Sequence, residues 1–273
     1  MQLCHFVVLL AVTAAPVLAE DRIPSHCIAL AANAPKVQPV ALVDDLAGGL
    51  EAGQVLIRYI DHASFALVTP DGTVAVTDYT GYLGVQDVVP DVVTMNNAHS
   101  THWTASPDPR IPNVLRGWAE GGVAARHVLD LGAMLVRNVT TDTRGPFGEG
   151  ALADGNSIFI FEAAGLCIGH LGHLHQIPSD EQYAAIGRLD VLMVPVDGGY
   201  TLRLKDMAGV VRRFRSSVVI PMHWFSEQSL AAFLAEMAGE FTVVETGGAQ
   251  IALSLRDLPA TPTLLVLEPA YLD

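Results

Sequence analysis

Six of the ten histidines of this chain fall in three short places, each just past an apolar run. The first is Asn97-Ala98-His99-Ser100-Thr101-His102-Trp103, the second His170-Leu171-Gly172-His173-Leu174-His175, the third Pro221-Met222-His223-Trp224. Strand ends meet at one rim of a sheet, so segments far apart in sequence can bring imidazoles to one point. Neutral imidazole is the commonest metal ligand, and Zn2+ takes three or four such donors with a position left for water. Water held there loses its proton near neutral pH and becomes a nucleophile. His5, His26 and His127 stand apart, and each reads as an ordinary surface or core histidine.

Strands must carry these clusters. Residues 55–60, 64–69 and 74–78 read as a β-meander, with a turn signal at Pro70-Asp71-Gly72-Thr73. Val92-Val93-Thr94-Met95 runs straight into the first cluster. One or two strands lie within 123–139. Gly145 to Gly155 reads as a loop, and 157–162 and 166–169 as a hairpin about Ala164-Gly165. The second half alternates: a helix from Pro178-Ser179-Asp180 towards Leu189, an apolar strand at 191–196, an amphipathic helix at 202–215, and a strand at 218–220. A helix capped by Ser226 then stops at Gly239, and strands follow at 241–245, 250–255 and 264–268. The pattern predicts one α/β domain over 51–273, with two sheets packed face to face and helices outside. The blocks 54–169 and 178–255 are each expected to give one sheet. Residues 20–50 read as a lead-in.

The chain has 273 residues, 51% hydrophobic and 16% charged, enough for a sizeable core and incompatible with disorder. A net charge of −14 repels phosphate backbones and argues against nucleic-acid partners. Residues 1–19 carry no Lys, Arg, Asp or Glu and end in Val17-Leu18-Ala19 before Glu20-Asp21. This reads as a secretory signal peptide cut after Ala19, giving a secreted or periplasmic protein with no stable membrane anchor after cleavage. Cleavage removes Cys4 and leaves Cys27 and Cys167. They can pair in an oxidising compartment, although a buried thiol at Cys167 is the plainer reading.

The blocks from about 53 to 255 resemble the metallo-β-lactamase-fold superfamily, in its branch similar to ascorbate-6-phosphate lactonases. Residues Ile57 to Phe65, with His62-Ala63-Ser64-Phe65, resemble that branch's opening strand and its Gly-His-Ala-Ser-Phe. Val76-Thr77-Asp78 resembles its Thr-Asp-Pro. Residues 97–102 fall where it writes His-x-His-x-Asp-His, and 170–173 where it writes His-x-Gly-Asp. Asp190 to Val196 with Gly198-Gly199, and Val219 to His223, resemble its closing strands. The resemblance implies a four-layer αββα sandwich. It implies His99, His102 and His223 as metal ligands, with His173 standing where the family has a bridging Asp. Asn97 replaces the family's first His and Thr101 its proton-handling Asp. An imidazole cannot bridge two cations as a carboxylate does. One ion is therefore expected, Zn2+ first, with another divalent transition metal as the alternative.

Around that centre, Asp78 is the candidate for orienting a ligand imidazole through its second nitrogen. His175 competes with His173, and His170 acts behind the ligands. His62 faces the same pocket, while Trp103, Trp224 and Tyr200 flank it. Asp142, Asp197 or His175 is available as the proton shuttle that Thr101 cannot be, and His173, Asp78 and Asp142 are the catalytic candidates. The leading reading is an exported hydrolase acting on an ester, lactone, amide or phosphoester of a small-molecule substrate. The competing reading is a metal- or ligand-binding pseudoenzyme on the same fold, with metal-dependent redox chemistry third. The chain lacks G-x-G-x-x-G, a P-loop and G-x-S-x-G.

Overall fold

The computed structural model describes residues 25–28, 49–145 and 150–272. The expected signal peptide and most of the lead-in lie outside the described residues. In chain order the elements are β1 (Val55–Asp61), β2 (Ser64–Val68), β3 (Val74–Val76), β4 (Val92–Met95), β5 (Asn113–Arg116), β6 (Val128–Asp130), β7 (Met134–Arg144), β8 (Ala151–Ala163) and β9 (Leu166–His170). Then come α1 (Asp180–Ile186), β10 (Val191–Pro195), α2 (Leu204–Phe214), β11 (Val218–Met222), α3 (Glu227–Glu236), β12 (Thr242–Glu245), β13 (Gln250–Leu253) and β14 (Thr263–Val266).

Two mixed sheets form. The first has the order β13-β1-β2-β3-β4-β5, the second β12-β14-β11-β10-β9-β8-β7-β6. Period-two alternation decides which side chains meet between them. Val55, Ile57, Tyr59, Phe65 and Leu67 of the first sheet pack against Phe159, Phe161, Val191, Met193, Ile220 and Met222 of the second. The intervening Ile158, Ile160, Leu192, Val194 and Val219 point the other way, onto Met207, Val211 and Phe233 of the helices. Strands β9, β10 and β11 are buried on both faces, which is why they read as unbroken apolar runs. The outer face of the first sheet is covered, among the described residues, by connections bearing Tyr79, Leu83, Trp103, Ile111 and Trp118. This is the αββα sandwich, with loops doing most of the covering on that side.

The division of strands differs from the expected one. Strands β6 to β9 join the second sheet, and β13 returns to the edge of the first. Strand periodicity sets which face is buried but not which neighbour a strand takes. Most of the glycine-rich stretch after 150 is strand rather than loop. Gly155 sits there because a Cβ would fall 2.2 Å from Thr143 Oγ1 on the paired strand.

Local signals fix the helix ends. Ser179 and Gln182 form a capping box at α1, and Gly187, at φ +78°, stops it. The carbonyl of Cys27 lies where a Cβ on Gly187 would be, 2.5 Å away. Cys27 and Cys167 form a disulfide, so the buried-thiol reading of Cys167 is corrected. The bridge fastens residues 25–28 onto β9, and Arg188 N–H donates to Cys27 O.

Candidate metal centre

The strand ends do meet at one rim. His62 occupies the β1–β2 turn, Asp78 follows β3, and His99 and His102 lie in the loop after β4. The other sheet contributes His173 and His175 after β9, Asp197 after β10 and His223 after β11. The His102 ring lies 4.7 Å from that of His173, 5.0 Å from His223 and 5.6 Å from His62. His99 stacks 5.4 Å from His173. Donor atoms form two overlapping triads, His62–His102–His223 and His99–His102–His173, each within 4.8 Å. His62, Asp78 and His223 all have φ between +43° and +58°. Left-handed backbone at three non-glycine residues of one site is strain that the surroundings must hold in place.

Two buried imidazoles of this rim, His102 and His223, each have a carboxylate behind them. His102 Nδ1 lies 2.6 Å from Asp78 Oδ2, both groups being fully buried, and donates to it when Asp78 is ionised. Asp78 Oδ1 accepts from Asn96 N–H at 2.8 Å. His223 Nδ1 lies 3.0 Å from Asp197 Oδ2 on a bent approach and has no straighter partner. Asp197 Oδ1 accepts the N–H groups of Gly199, Tyr200 and Thr201, and Oδ2 accepts the Thr201 hydroxyl. Burial alone would raise this carboxyl. His223, the Thr201 hydroxyl and the loop amides overcome that and hold it well below the usual carboxylate range. Burial pushes Asp78 up to about 7, against His170 and the Asn96 amide.

With both Nδ1 protons drawn to carboxylates, His102 and His223 each turn a bare Nε2 lone pair towards the other, 3.0 Å apart. Two lone pairs at that distance repel unless a cation lies between them. Two nitrogens on one tetrahedral Zn2+ sit about 3.3 Å apart, so this pair is close to ligand spacing. Burial, followed by the neighbouring imidazoles, lowers His62 to about 3 and drives His102 and His173 far down. Burial and then Arg144 take His175 to about 4. These rings are neutral at pH 7, the form that ligates. The donor set fits a divalent transition metal.

Other candidates fall elsewhere. His170 is a satisfied core residue. Its Nε2–H donates to Ala63 O at 2.7 Å, and its Nδ1 faces Asn96 Nδ2 and Gly172 N at 3.1 Å each. Asn97 turns away, donating to Gly155 O. Thr101 reaches His99 Nδ1 at 3.1 Å. Asp142 accepts Asp154 N–H at the irregularity between β7 and β8 and bonds to no imidazole. Trp224 packs edge-on against Tyr59 in the core, and Trp103 against Trp118. The aromatic wall is instead Phe225, whose ring is 5.2 Å from both His62 and His223, with Tyr200 edge-on to it. The left-handed turn at His223 breaks the alternation and puts Phe225 there.

Sequence reasoning passed over Asn96 and Asn156. Asn96 ties Asp78 to His170 and to Ser157 O, and Asn156 Oδ1 accepts His173 N–H at 2.9 Å. Asn96 directly follows the end of β4, which is its one signal, whereas Asn156 lies within β8 and carries none.

A model of the beta-lactamase superfamily domain matches residues 56–223. A UPF0173 metal-dependent hydrolase of Methanoregula boonei is 24% identical over 177 residues, 60% of this chain and 74% of its own length. A Thermotoga maritima protein assigned as a Zn-dependent hydrolase of the metallo-beta-lactamase superfamily superposes with TM-score 0.57 at 25% identity, over 79% of this chain and 99% of that one. Igni18, a metallo hydrolase of Ignicoccus hospitalis, shares the fold at TM-score 0.52 and 16% identity, over 74% of this chain and 99% of its own. With the two-sheet sandwich, the rim of imidazoles and a family match over most of both sheets, this chain belongs to the beta-lactamase superfamily domain family and has the metallo-β-lactamase fold.

Proposed function

We propose that the chain is an exported hydrolase that uses one divalent transition-metal ion, of zinc type, on an ester, lactone, amide or phosphoester bond of a small molecule. The observation that carries this is the facing Nε2 pair of His102 and His223, each backed by a buried carboxylate. His102 and His223 hold the ion, and the remaining nitrogens come from His62 on one side or from His99 and His173 on the other. The metal-dependent names of the relatives support the same reading. A bound divalent ion supplies a water that deprotonates near pH 7 and a charge that polarises the scissile group.

The chain's own residues do the rest. Asp78 and Asp197 keep protons on the far nitrogens of His102 and His223 and fix the ring planes. Phe225 and Tyr200, 61% and 69% exposed, stand at the rim. They offer an apolar edge-and-face surface to a substrate carrying an aromatic or aliphatic group beside the scissile bond. The Arg144 guanidinium is spent on the carbonyls of Gly199, Tyr200 and Thr201, so it holds the loop rather than an anionic substrate.

Protein purified without chelator should contain about one Zn2+-class ion per chain and turn over a member of an ester, lactone and phosphodiester panel. Elemental analysis with an assay before and after chelation checks this. Two ions per chain would overturn the single-ion reading. Metal without any turnover would favour the ligand-binding alternative, which the side chains of Thr101 and His173, in place of carboxylates, keep open.

The disulfide supports the exported part of the reading, since such bridges persist in oxidising compartments. N-terminal sequencing of the mature protein should begin at Glu20. An intact Met1 on the purified protein would end that part. Among the described residues no helix is long and apolar enough to cross a membrane.

A further inference from the structure

We propose that His62 is a ligand of this ion, completing a three-imidazole site with His102 and His223, and that His173 faces the site as an N–H donor instead of a ligand. The inference rests on the metal-dependent reading above and assigns its coordination.

The two triads share His102, and His102 has one nitrogen to give because Nδ1 is committed to Asp78. A neutral imidazole nitrogen has a single lone pair, so only one triad can be the site. Proton positions choose between them. Arg144 N–H, a donor only, points at His175 Nδ1 at 2.8 Å. Neutral His175 therefore carries its proton on Nε2, which lies 2.5 Å from His173 Nδ1. His173 Nδ1 accepts that proton's hydrogen bond, so neutral His173 carries its own proton on Nε2. Neither nitrogen of His173 has a lone pair left for a cation. The His99–His102–His173 triad thus lacks a donor.

The other triad lacks none. His223 offers Nε2, and His62 Nε2 is buried with no hydrogen-bond partner at all. A core histidine of ordinary kind looks like His170, with both ring nitrogens paired. An unpaired buried ring nitrogen costs free energy unless something absent from the protein satisfies it. Backbone bonds hold the ring in register. The His62 carbonyl accepts Tyr59 OH at 2.6 Å and His223 N–H at 2.8 Å, which couples two of the three ligands directly. The left-handed backbone at both residues keeps their rings together, 4.0 Å between centroids. Asn97, by contrast, has turned to Gly155 O. The chain replaces the ligand missing after β4 with one from the β1–β2 turn.

The test uses metal-stripped full-length protein titrated with Co2+ against a competing chelator. Affinity, the visible absorption bands and the imidazole count from X-ray absorption are the readouts. His62→Asn keeps the left-handed backbone, which Asn tolerates, and the two carbonyl bonds. It should weaken Co2+ binding by about 100-fold or more, beyond the 10–100-fold typical of losing an outer partner, and remove one imidazole from the shell. His173→Ala should leave the imidazole count unchanged and weaken Co2+ binding by less than about 10-fold, the lower end for losing a partner that bonds a ligand, since His173 bonds to none of the three. Near-UV circular dichroism checks the fold, and His62→Gln serves if the Asn variant does not fold. Wild-type affinity in a folded His62 variant overturns the proposal. If His173→Ala is then the variant that loses the ion, the metal reading stands with a different third ligand. A wild-type protein that takes up no Co2+ overturns both.

Discussion

His102→Ala should leave a folded chain that holds no transition metal. Its turnover on any substrate found for the wild type should fall to background, because without a Lewis acid the attacking water keeps a pKa of about 15.7 and is not ionised at pH 7. His102 is the one residue common to both triads, so the loss follows whichever set of partners completes the site. The residue is 0% exposed, and its removal also takes a donor from Asp78 Oδ2. Asp78 retains the Asn96 N–H. An unsatisfied buried acceptor costs about 1–3 kcal/mol. At roughly 2–4 °C per kcal/mol for a chain of this size, the melting temperature should drop by about 2–12 °C. Adding Asp78→Asn should recover part of that drop without restoring metal, because the amide lowers the cost of burying an unpaired charge but supplies no imidazole. Metal content by elemental analysis and a thermal melt separate the two effects. Wild-type metal content in folded His102→Ala would remove the site from this rim altogether.

Much of this site was legible because its chemistry sits where strands stop. Apolar runs ending at Met95, His170 and Met222 put histidines at one rim, and β9, β10 and β11 announce themselves by being apolar on both faces. Partner choice was less legible. β5 is four residues long and half exposed, and too short for its alternation to be read. The sheet to which β6–β9 belong depends on pairing across β9 and β10, which no local pattern encodes. The disulfide joins residues 140 positions apart, a distance known only once β9 and the 25–28 segment are placed.

The finer features of the site were hidden for a different reason. Asp197 reads in sequence only as a proton shuttle, because its place behind His223 Nδ1 depends on the proton of a ring nitrogen, and a sequence does not show tautomers. The unlike fates of His62 and His170 depend on whether a carbonyl or amide lies within about 3 Å of the ring. Gly172 illustrates the point. At φ +59° it lets Asn96 and Asn156 approach so closely that a Cβ would fall 2.5 Å from Asn96 Nδ2 and 2.6 Å from Asn156 Oδ1. Read in sequence it is merely the glycine of a loop.

The second large effect lies on the far side of the second sheet, away from the imidazoles. Glu162→Ala should lower the stability by about 3–5 kcal/mol, the range for breaking a buried ion pair by removing one partner. Glu162 Oε1 accepts Arg137 Nε–H at 2.7 Å, with both side chains almost fully buried. The same carboxylate takes the Ser25 hydroxyl and, at 3.0 Å, His26 N–H. Arg137 in turn donates to Ala185 O at 2.8 Å and Ile186 O at 2.6 Å, the carbonyls at the end of α1. One charge pair thus joins β7, β8, the end of α1 and the segment bearing Cys27. Without the carboxylate, Arg137 is a buried cation with only those carbonyls to solvate it, and residues 25–26 lose their docking point. The melting temperature should fall by roughly 6–20 °C. Replacing both partners with apolar residues of similar volume, Glu162→Leu with Arg137→Met, should recover most of the loss, since the penalty comes from the orphaned charge and not from a large net gain in the pair. The effect should also be non-additive with Cys27→Ser, because both changes release the same segment from β8 and β9. A Glu162→Ala variant melting within 2 °C of wild type, a margin of roughly 1 kcal/mol or less, would mean that water reaches Arg137 and that this contact does not hold the segment.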